Sequence, residues 1–237
     1  MRFLTALPVH NEASHVAAVL ERVRQYSDDV LVVNDGSKDG TAAELARFPW
    51  LKVVTHRTNL GYGAALKSAF QFAVDGQYDA LVTIDCDGQH EPRLIPELVA
   101  ALTSDVEIVS GSRYLEQHQG DSQPPVERRQ INMLLTAEVN KLLGLSLTDA
   151  FCGFKAYRVG ILGKFDITDA GYAMPLQVWV QAAALGLRIV EFPVPLIYLE
   201  EERSFGGALD DAQFRLAHYR KVLERELARF AVVKGVS

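Results

Sequence analysis

The chain has 237 residues, enough for one large domain or two small ones; 49% are hydrophobic and 23% charged, a globular balance able to bury a full core. A net charge of −6 argues against a dedicated nucleic-acid binder, and the two cysteines, Cys86 and Cys152, lack CxxC or CxxH spacing, which argues against a zinc site and for a reducing compartment. No stretch approaches the ~20 apolar residues of a membrane span, and no basic segment followed by an apolar one opens the chain, so a cytoplasmic protein without signal peptide or transmembrane segment is expected.

Strand-like apolar runs occur at 3–7, 30–33, 52–55, 80–84 and 107–110, and helical patterns lie between them at 13–26, 41–47, 64–74 and 93–102. Ser37-Lys38-Asp39-Gly40-Thr41 marks the start of the second helix and Pro92 that of the fourth. Such alternation predicts βαβ units in a three-layer α/β/α fold with a mainly parallel central sheet. Residues 116–125 are polar and contain Gly120, Pro124 and Pro125, a loop or crossover. A helix follows over 126–143, capped by Gly144. Residues 145–172 are mixed and punctuated by glycine. A helix near 176–185, an extended stretch over 189–199 broken at Pro193 and Pro195, and a last helix over about 210–230 complete the chain.

In parallel sheets ligands sit beyond the carboxyl ends of the strands. Three polar clusters fall there: Pro8-Val9-His10-Asn11-Glu12, Asn34-Asp35-Gly36-Ser37 and Asp85-Cys86-Asp87-Gly88-Gln89-His90. A shared site explains three clusters after three strands better than three independent turns do. Asp85 and Asp87 share one face if extended geometry persists through them. Two carboxylates there, with Gly88 leaving room above, suit a hard divalent ion that also holds a diphosphate; an Asp/Gly turn closing a strand is the simpler alternative. The pair Gly61-Tyr62-Gly63 lacks the third glycine of a dinucleotide-binding fingerprint, which weakens an oxidoreductase reading.

Taken together, Pro8-x-x-Asn11-Glu12, Asn34-Asp35-Gly36-Ser37-x-Asp39-Gly40-Thr41, Asn59-x-Gly61-x-Gly63 and Asp85-x-Asp87-Gly88-Gln89-His90 resemble family 2 inverting glycosyltransferases of GT-A fold. So do Gly111-Ser112-Arg113-Tyr114, Arg128-Arg129, Asp149 to Lys155 and Gly186 to Pro193. The resemblance runs over about 3–199 and is nearest to dolichyl- or polyprenyl-phosphate mannosyl- and glucosyltransferases. It implies a transferase domain over 1–205, with 206–237 an amphipathic helix or tail packed on or extending from it. It implies that Pro8, Asn11 and Glu12 surround the base and ribose, that Asp35 contacts the base or ribose, and that Gly61 and Gly63 admit the nucleotide to the backbone. Asp87 is implied to hold Mg²⁺ or Mn²⁺ on the diphosphate, Asp85 the ribose or the metal, and Gln89 the metal or sugar. Arg113 and Arg129 are implied to face the diphosphate or the acceptor phosphate.

The expected function is metal-dependent, inverting transfer of a sugar from a UDP- or GDP-sugar to a polyprenyl or dolichyl phosphate. Transfer to a hydroxyl, or nucleotide-sugar binding without catalysis, are the alternatives. A hydroxyl acceptor needs a base, and Asp149 is the candidate for that base or for orienting the acceptor. Two positions depart from the phosphomannosyl branch. Gln177 stands where that branch carries an acid, and Leu209, in 203–209, where it carries a lysine. Residues 214–234 hold six Lys/Arg against two acids, a net +4. Such a helix either lies on an anionic bilayer, making the protein peripheral at the cytoplasmic membrane face, or packs on its own domain with a solvated basic face; packing is favoured.

Overall fold

The computed structural model describes residues 1–199 and 207–234. In chain order the elements are β1 (Phe3–Val9), α1 (Val16–Val23), β2 (Val30–Asn34), α2 (Thr41–Leu45), β3 (Lys52–Thr55), α3 (Tyr62–Asp75) and β4 (Ala80–Thr83). Then follow α4 (Ile95–Ala101), β5 (Ile108–Ser112), α5 (Val126–Leu143), β6 (Lys155–Arg158), α6 (Val159–Leu162), α7 (Met174–Ala184), β7 (Ile189–Pro193) and α8 (Ala212–Lys234). The strands make one seven-stranded sheet in the order β3-β2-β1-β4-β6-β5-β7. All neighbours are parallel except β6, which is antiparallel to both β4 and β5.

All five residues of β2, Val-Leu-Val-Val-Asn, are buried, as expected where helices cover both faces of a sheet. Their alternation divides the core. Val30 and Val32 join α1, α2 and α4 on one side; Leu31 and Val33 join α3, α5, α6, α7 and α8 on the other. The expected three-layer α/β/α fold is what forms.

Helix α5 matches its predicted limits. Gly144 takes the left-handed conformation at φ +68°, where a side chain is strained, and its amide bonds the Asn140 carbonyl at 2.9 Å. Strand β6 lies in the stretch read as mixed. It is four residues long, opens on Lys155 and sits between glycines and a helix, so no alternation announces it. The register Lys155↔Thr83 and Lys155↔Ser110 nevertheless sets it between two established strands. Helix α8 packs against α7 and α5. Its arginines bind the domain's own acids: Arg215 binds Glu127, Arg220 binds Glu138, and Arg229 binds Asp166 and Glu226. Among the described residues no helix is long and apolar enough to cross a membrane.

Candidate active site

The carboxyl ends of β1, β2 and β4 converge on a cleft of about 770 Å³. Pro8, Asn11, Glu12, Asp35, Gly61, Asp85, Asp87 and Gln89, all singled out in the sequence, line it. A smaller cavity of about 190 Å³ adjoins, lined by Arg113, Arg128 and Arg215 together with Tyr114, Ile131 and Tyr198. The two share Gln89, Arg128, Phe151 and Tyr219, so a molecule in one can reach a molecule in the other. Gly63, Arg129 and Asp149 line neither.

The aspartate pair is brought together differently from the expectation of continued extended geometry. Strand β4 ends at Thr83, and Asp87 sits in a turn whose Gly88 has φ +74°. Asp87 Oδ1 accepts the Gln89 amide at 3.0 Å, which holds the turn. Asp85 lines the same cleft and is tied to its neighbours by both oxygens. Its Oδ1 accepts from the Tyr62 hydroxyl at 3.1 Å, and its Oδ2 pairs with His90 Nε2 at 3.3 Å. Burial alone would raise this carboxyl. The bond and charge of His90 outweigh burial, with help from Tyr62 and Lys155, and hold Asp85 below the usual carboxylate range. Gly153 makes the room: a Cβ there would lie 2.1 Å from Asp85 Oδ2.

The glycines of the 61–63 turn admit another stretch of backbone. Gly61 has φ +104°, and a Cβ on it would meet the Ala170 carbonyl oxygen at 2.3 Å; one on Gly63 would meet the Asp169 carbonyl oxygen at 2.4 Å. They let the turn pack on the 169–171 backbone. Asp35, 3% exposed, holds the same turn: its carboxylate accepts the Leu60 amide at 2.9 Å and the Gly61 amide at 2.7 Å, while His56 Nδ1 lies 2.6 Å away. Asn11 adopts φ +55° and accepts the Lys38 amide at 2.8 Å, tying the first loop to the second.

In the smaller cavity Arg113 is gripped by Asp149. Nε donates to Oδ2 at 2.7 Å and Nη2 to Oδ1 at 3.0 Å, a two-pronged pair. Asp149 is fully buried and also accepts from Asn132 Nδ2 at 2.9 Å and the Phe151 amide at 3.1 Å. Burial opposes ionisation, but the Arg113 charge and hydrogen bonds outweigh it and hold the Asp149 carboxyl far below the usual range. Its two oxygens are thus committed to Arg113, Asn132 and the Phe151 amide. Lys155 is buried beneath, its ammonium donating to the Cys152 carbonyl and facing the Trp179 ring at 5.2 Å; burial lowers its pKa despite nearby Cys152 and Asp149. The Cys152 thiol is pushed up to about 11, chiefly by burial, which leaves it protonated and inert.

Arg128, Arg215 and Tyr62 line the cavities without having been assigned a site role from the sequence. Of the adjacent pair Arg128-Arg129, Arg129 was preferred, yet Arg128 lines both cavities and donates to the Tyr198 hydroxyl. Arg129 lies over the Tyr114 ring at 3.4 Å. Helical phase held the signal: 128, 131, 132 and 135 share one face, and Ile131, Asn132 and Leu135 are all buried. Arg215 is 3% exposed and lines the smaller cavity, so a guanidinium stands near where the lysine was missed; Leu209 lines the larger cleft and its carbonyl accepts from Arg215 at 2.6 Å. Arg203 lies outside the described residues. Tyr62 stacks on Tyr172 at 5.4 Å, forming one side of the cleft. Gln177 is fully buried under α8, away from both cavities.

The sequence model for Glycosyl transferase family 2 matches residues 5–165. The chain belongs to glycosyltransferase family 2. It is 34% identical over 223 residues to an undecaprenyl-phosphate mannosyltransferase of Micrococcus luteus, covering 90% of this chain and 91% of that protein. It is 32% identical to a polyprenol monophosphomannose synthase of Mycolicibacterium smegmatis, covering 92% and 86%. Among solved structures, glucosyl-3-phosphoglycerate synthase of Mycobacterium tuberculosis with UDP superposes with a TM-score of 0.71 at 19% identity, over 97% of this chain and 79% of that one. The same synthase with Mn²⁺, UDP and phosphoglyceric acid gives 0.70 at 19% identity, over 97% and 78%. The fold is therefore GT-A, and this family 2 glycosyltransferase carries its three clusters on one cleft.

Proposed function

We propose that this transferase moves a mannosyl group from a nucleoside diphosphate donor to a polyprenyl phosphate, assisted by Mg²⁺ or Mn²⁺. The observation that carries the reading is the joining of the two cavities. A carboxylate-bearing cleft of about 770 Å³ meets a cavity of about 190 Å³ lined by three arginines and apolar side chains, across Gln89, Arg128, Phe151 and Tyr219. The two relatives named above act on undecaprenyl phosphate and polyprenol by their names, and both names specify mannose.

The donor set fits a hard cation. Among the described residues no group of three His, Cys, Asp or Glu side chains could hold an ion unaided. Mg²⁺ and Mn²⁺ prefer oxygen ligands, and Mg²⁺ is usually held by one or two carboxylates completed by substrate phosphates and water. Asp87 and Asp85, with Gln89 beside them, are the residues that would hold it. Bound there, the ion supplies compensation for the charge gathering on the leaving diphosphate.

The remaining roles fall to the chain itself. The loops carrying Pro8, Asn11 and Glu12, and the turn held by Asp35 and Gly61, enclose the nucleotide. Arg113, fixed by Asp149, and Arg128 and Arg215 orient the acceptor phosphate, with Arg129 bracing Tyr114. A phosphate monoester is largely ionised near neutral pH, its second pKa being about 6. Its oxygen attacks the anomeric carbon, the bond to the diphosphate oxygen breaks with its electron pair, and configuration inverts; no general base takes part. Asp149 therefore orients and does not transfer a proton. On α5, Val126, Met133 and Leu134 are half or more exposed, on the side of the helix turned away from Arg128, Ile131 and Leu135. That face suits contact with the membrane that holds a prenyl acceptor.

The test is transfer from radiolabelled GDP-mannose, UDP-glucose and related donors to a polyprenyl phosphate, with Mn²⁺ or with EDTA, for the wild type and Asp87→Ala. Mannosyl transfer that EDTA and Asp87→Ala abolish is expected. Transfer to hydroxyl acceptors alone, or equal rates for Asp87→Ala, would overturn the reading.

A further inference from the structure

One buried charge takes no part in the chemistry above: the carboxylate of Glu226 on α8, fully buried. It accepts from Gln177 Nε2 at 2.7 Å, Gln181 Nε2 at 2.5 Å and Arg229 Nη1 at 2.7 Å. The two glutamines lie one turn apart on α7 and are themselves fully buried. Each reaches back to the segment that precedes α7. Gln177 Oε1 accepts the Thr168 and Asp169 amides at 2.9 and 2.7 Å. Gln181 Oε1 accepts the Asp166 amide at 2.8 Å, and its Nε2 donates to the Asp166 carbonyl at 2.9 Å. An amide side chain that turns its oxygen toward backbone N–H groups presents its NH₂ on the other side, and an ionised carboxylate only accepts. Glu226 therefore fixes the direction of both amides, and through them the backbone of 166–169.

That backbone runs directly into the cleft. The Ala170 carbonyl accepts the Ala64 amide at 3.2 Å and occupies the space that Gly61 and Gly63 leave open. Tyr172 stacks on Tyr62, whose hydroxyl donates to Asp85. A continuous set of contacts thus joins α8 to the aspartate at the end of β4. The departure at Gln177 has its counterpart here, because the acid that the resemblance places on α7 stands instead on α8, against the same residue.

We propose that Glu226 is a positioning residue for donor binding: from α8 it sets the 166–172 wall of the larger cleft through Gln177 and Gln181. The proposal rests on the reading that this cleft takes a nucleoside diphosphate sugar. It assigns the C-terminal helix a part in substrate affinity that no contact between α8 charges and the donor requires.

The experiment compares wild type, Glu226→Gln, Gln177→Glu and the exchange Glu226→Gln/Gln177→Glu. Hydrogen–deuterium exchange over 166–172 reads the anchoring without any ligand. Titration with GDP and UDP in Mn²⁺ reads its effect on the cleft. Glu226→Gln is expected to deprotect 166–172 and weaken nucleotide binding by roughly 3- to 30-fold, the scale of coupling through a packed network. In transfer assays its donor KM rises while its acceptor KM holds. The exchange variant restores one carboxylate to the network and is expected to recover protection and affinity. Gln177→Glu alone places two carboxylates together and is expected to behave like Glu226→Gln or worse. Unchanged exchange over 166–172 in Glu226→Gln overturns the proposal, as does unchanged nucleotide affinity with normal wild-type binding. Failure of Glu226→Gln to fold leaves the exchange variant to decide, and an exchange variant that folds with weak binding also overturns it. Wild type that binds no nucleotide sinks the donor reading instead, and the exchange data then judge the anchoring alone.

Discussion

Replacing Asp149 by Asn separates an orienting carboxylate from a proton-transferring one. The variant keeps the shape but presents an NH₂ group to the Arg113 guanidinium, in place of an oxygen bonded at 2.7 or 3.0 Å. Breaking a buried pair costs about 3–5 kcal/mol because the surviving charge loses its partner. Arg113 keeps 20% of its side-chain surface in contact with water, so the lower end applies, about 3 kcal/mol. In a chain of this size each kcal/mol moves Tm by roughly 2–4 °C, so a fall of about 6–12 °C is expected. The pH dependence carries the sign. The folded Asp149 carboxyl lies below its unfolded value, so its contribution is complete above the unfolded pKa of about 3.9 and fades as pH falls below that toward the folded pKa. Melting followed by circular dichroism should therefore give a constant gap between wild type and variant from pH 8 to pH 5, narrowing only below about pH 4. A gap that opens or closes between pH 6 and 8 would show a carboxyl titrating near neutrality, as a general base does. A Tm within 2 °C of wild type would refute the buried-pair reasoning itself.

Gly153→Ala puts a Cβ 2.1 Å from Asp85 Oδ2, so the carboxylate must move; transfer should drop by ~10²-fold with Tm little changed, as read by activity and melting. Undiminished transfer would remove Asp85 from the donor site. Arg128→Gln loses a charged donor and should raise the acceptor KM by roughly tenfold or more, whereas Arg129→Gln should cost much less; steady-state kinetics with varied prenyl phosphate decide, and the reverse order would restore the choice made from sequence. The triple variant Val126→Ser/Met133→Ser/Leu134→Ser should sediment with anionic vesicles about tenfold less well, while turnover of a short-chain acceptor in solution stays at the wild-type rate. Equal sedimentation would mean that another face meets the bilayer.

Periodicity and chain direction were enough for the class of fold and for the place of the cleft at the strand ends. Apolar runs such as Val30–Val33 and Ala80–Ile84 demand burial on both faces, and that demand places helices on both sides of a parallel sheet. Chain direction then puts the Asn11, Asp35 and Asp87 clusters at one end. Periodicity and a terminal glycine sufficed to delimit α5, because capping is a local matter. Tertiary structure alone decided the rest. Strand β6 draws its pairing from β4 and β5, which lie far away in sequence. Gly61 and Gly63 yield to the backbone of 169–170, a contact that no local pattern encodes. Asp149, a candidate for the base or for orienting the acceptor, finds its partner in Arg113 from a distant strand end, since two charges leave water most cheaply together. Short-range order follows from the spacing of neighbours along the chain, whereas the partner of a buried charge or a bare glycine is chosen only when distant segments close around it.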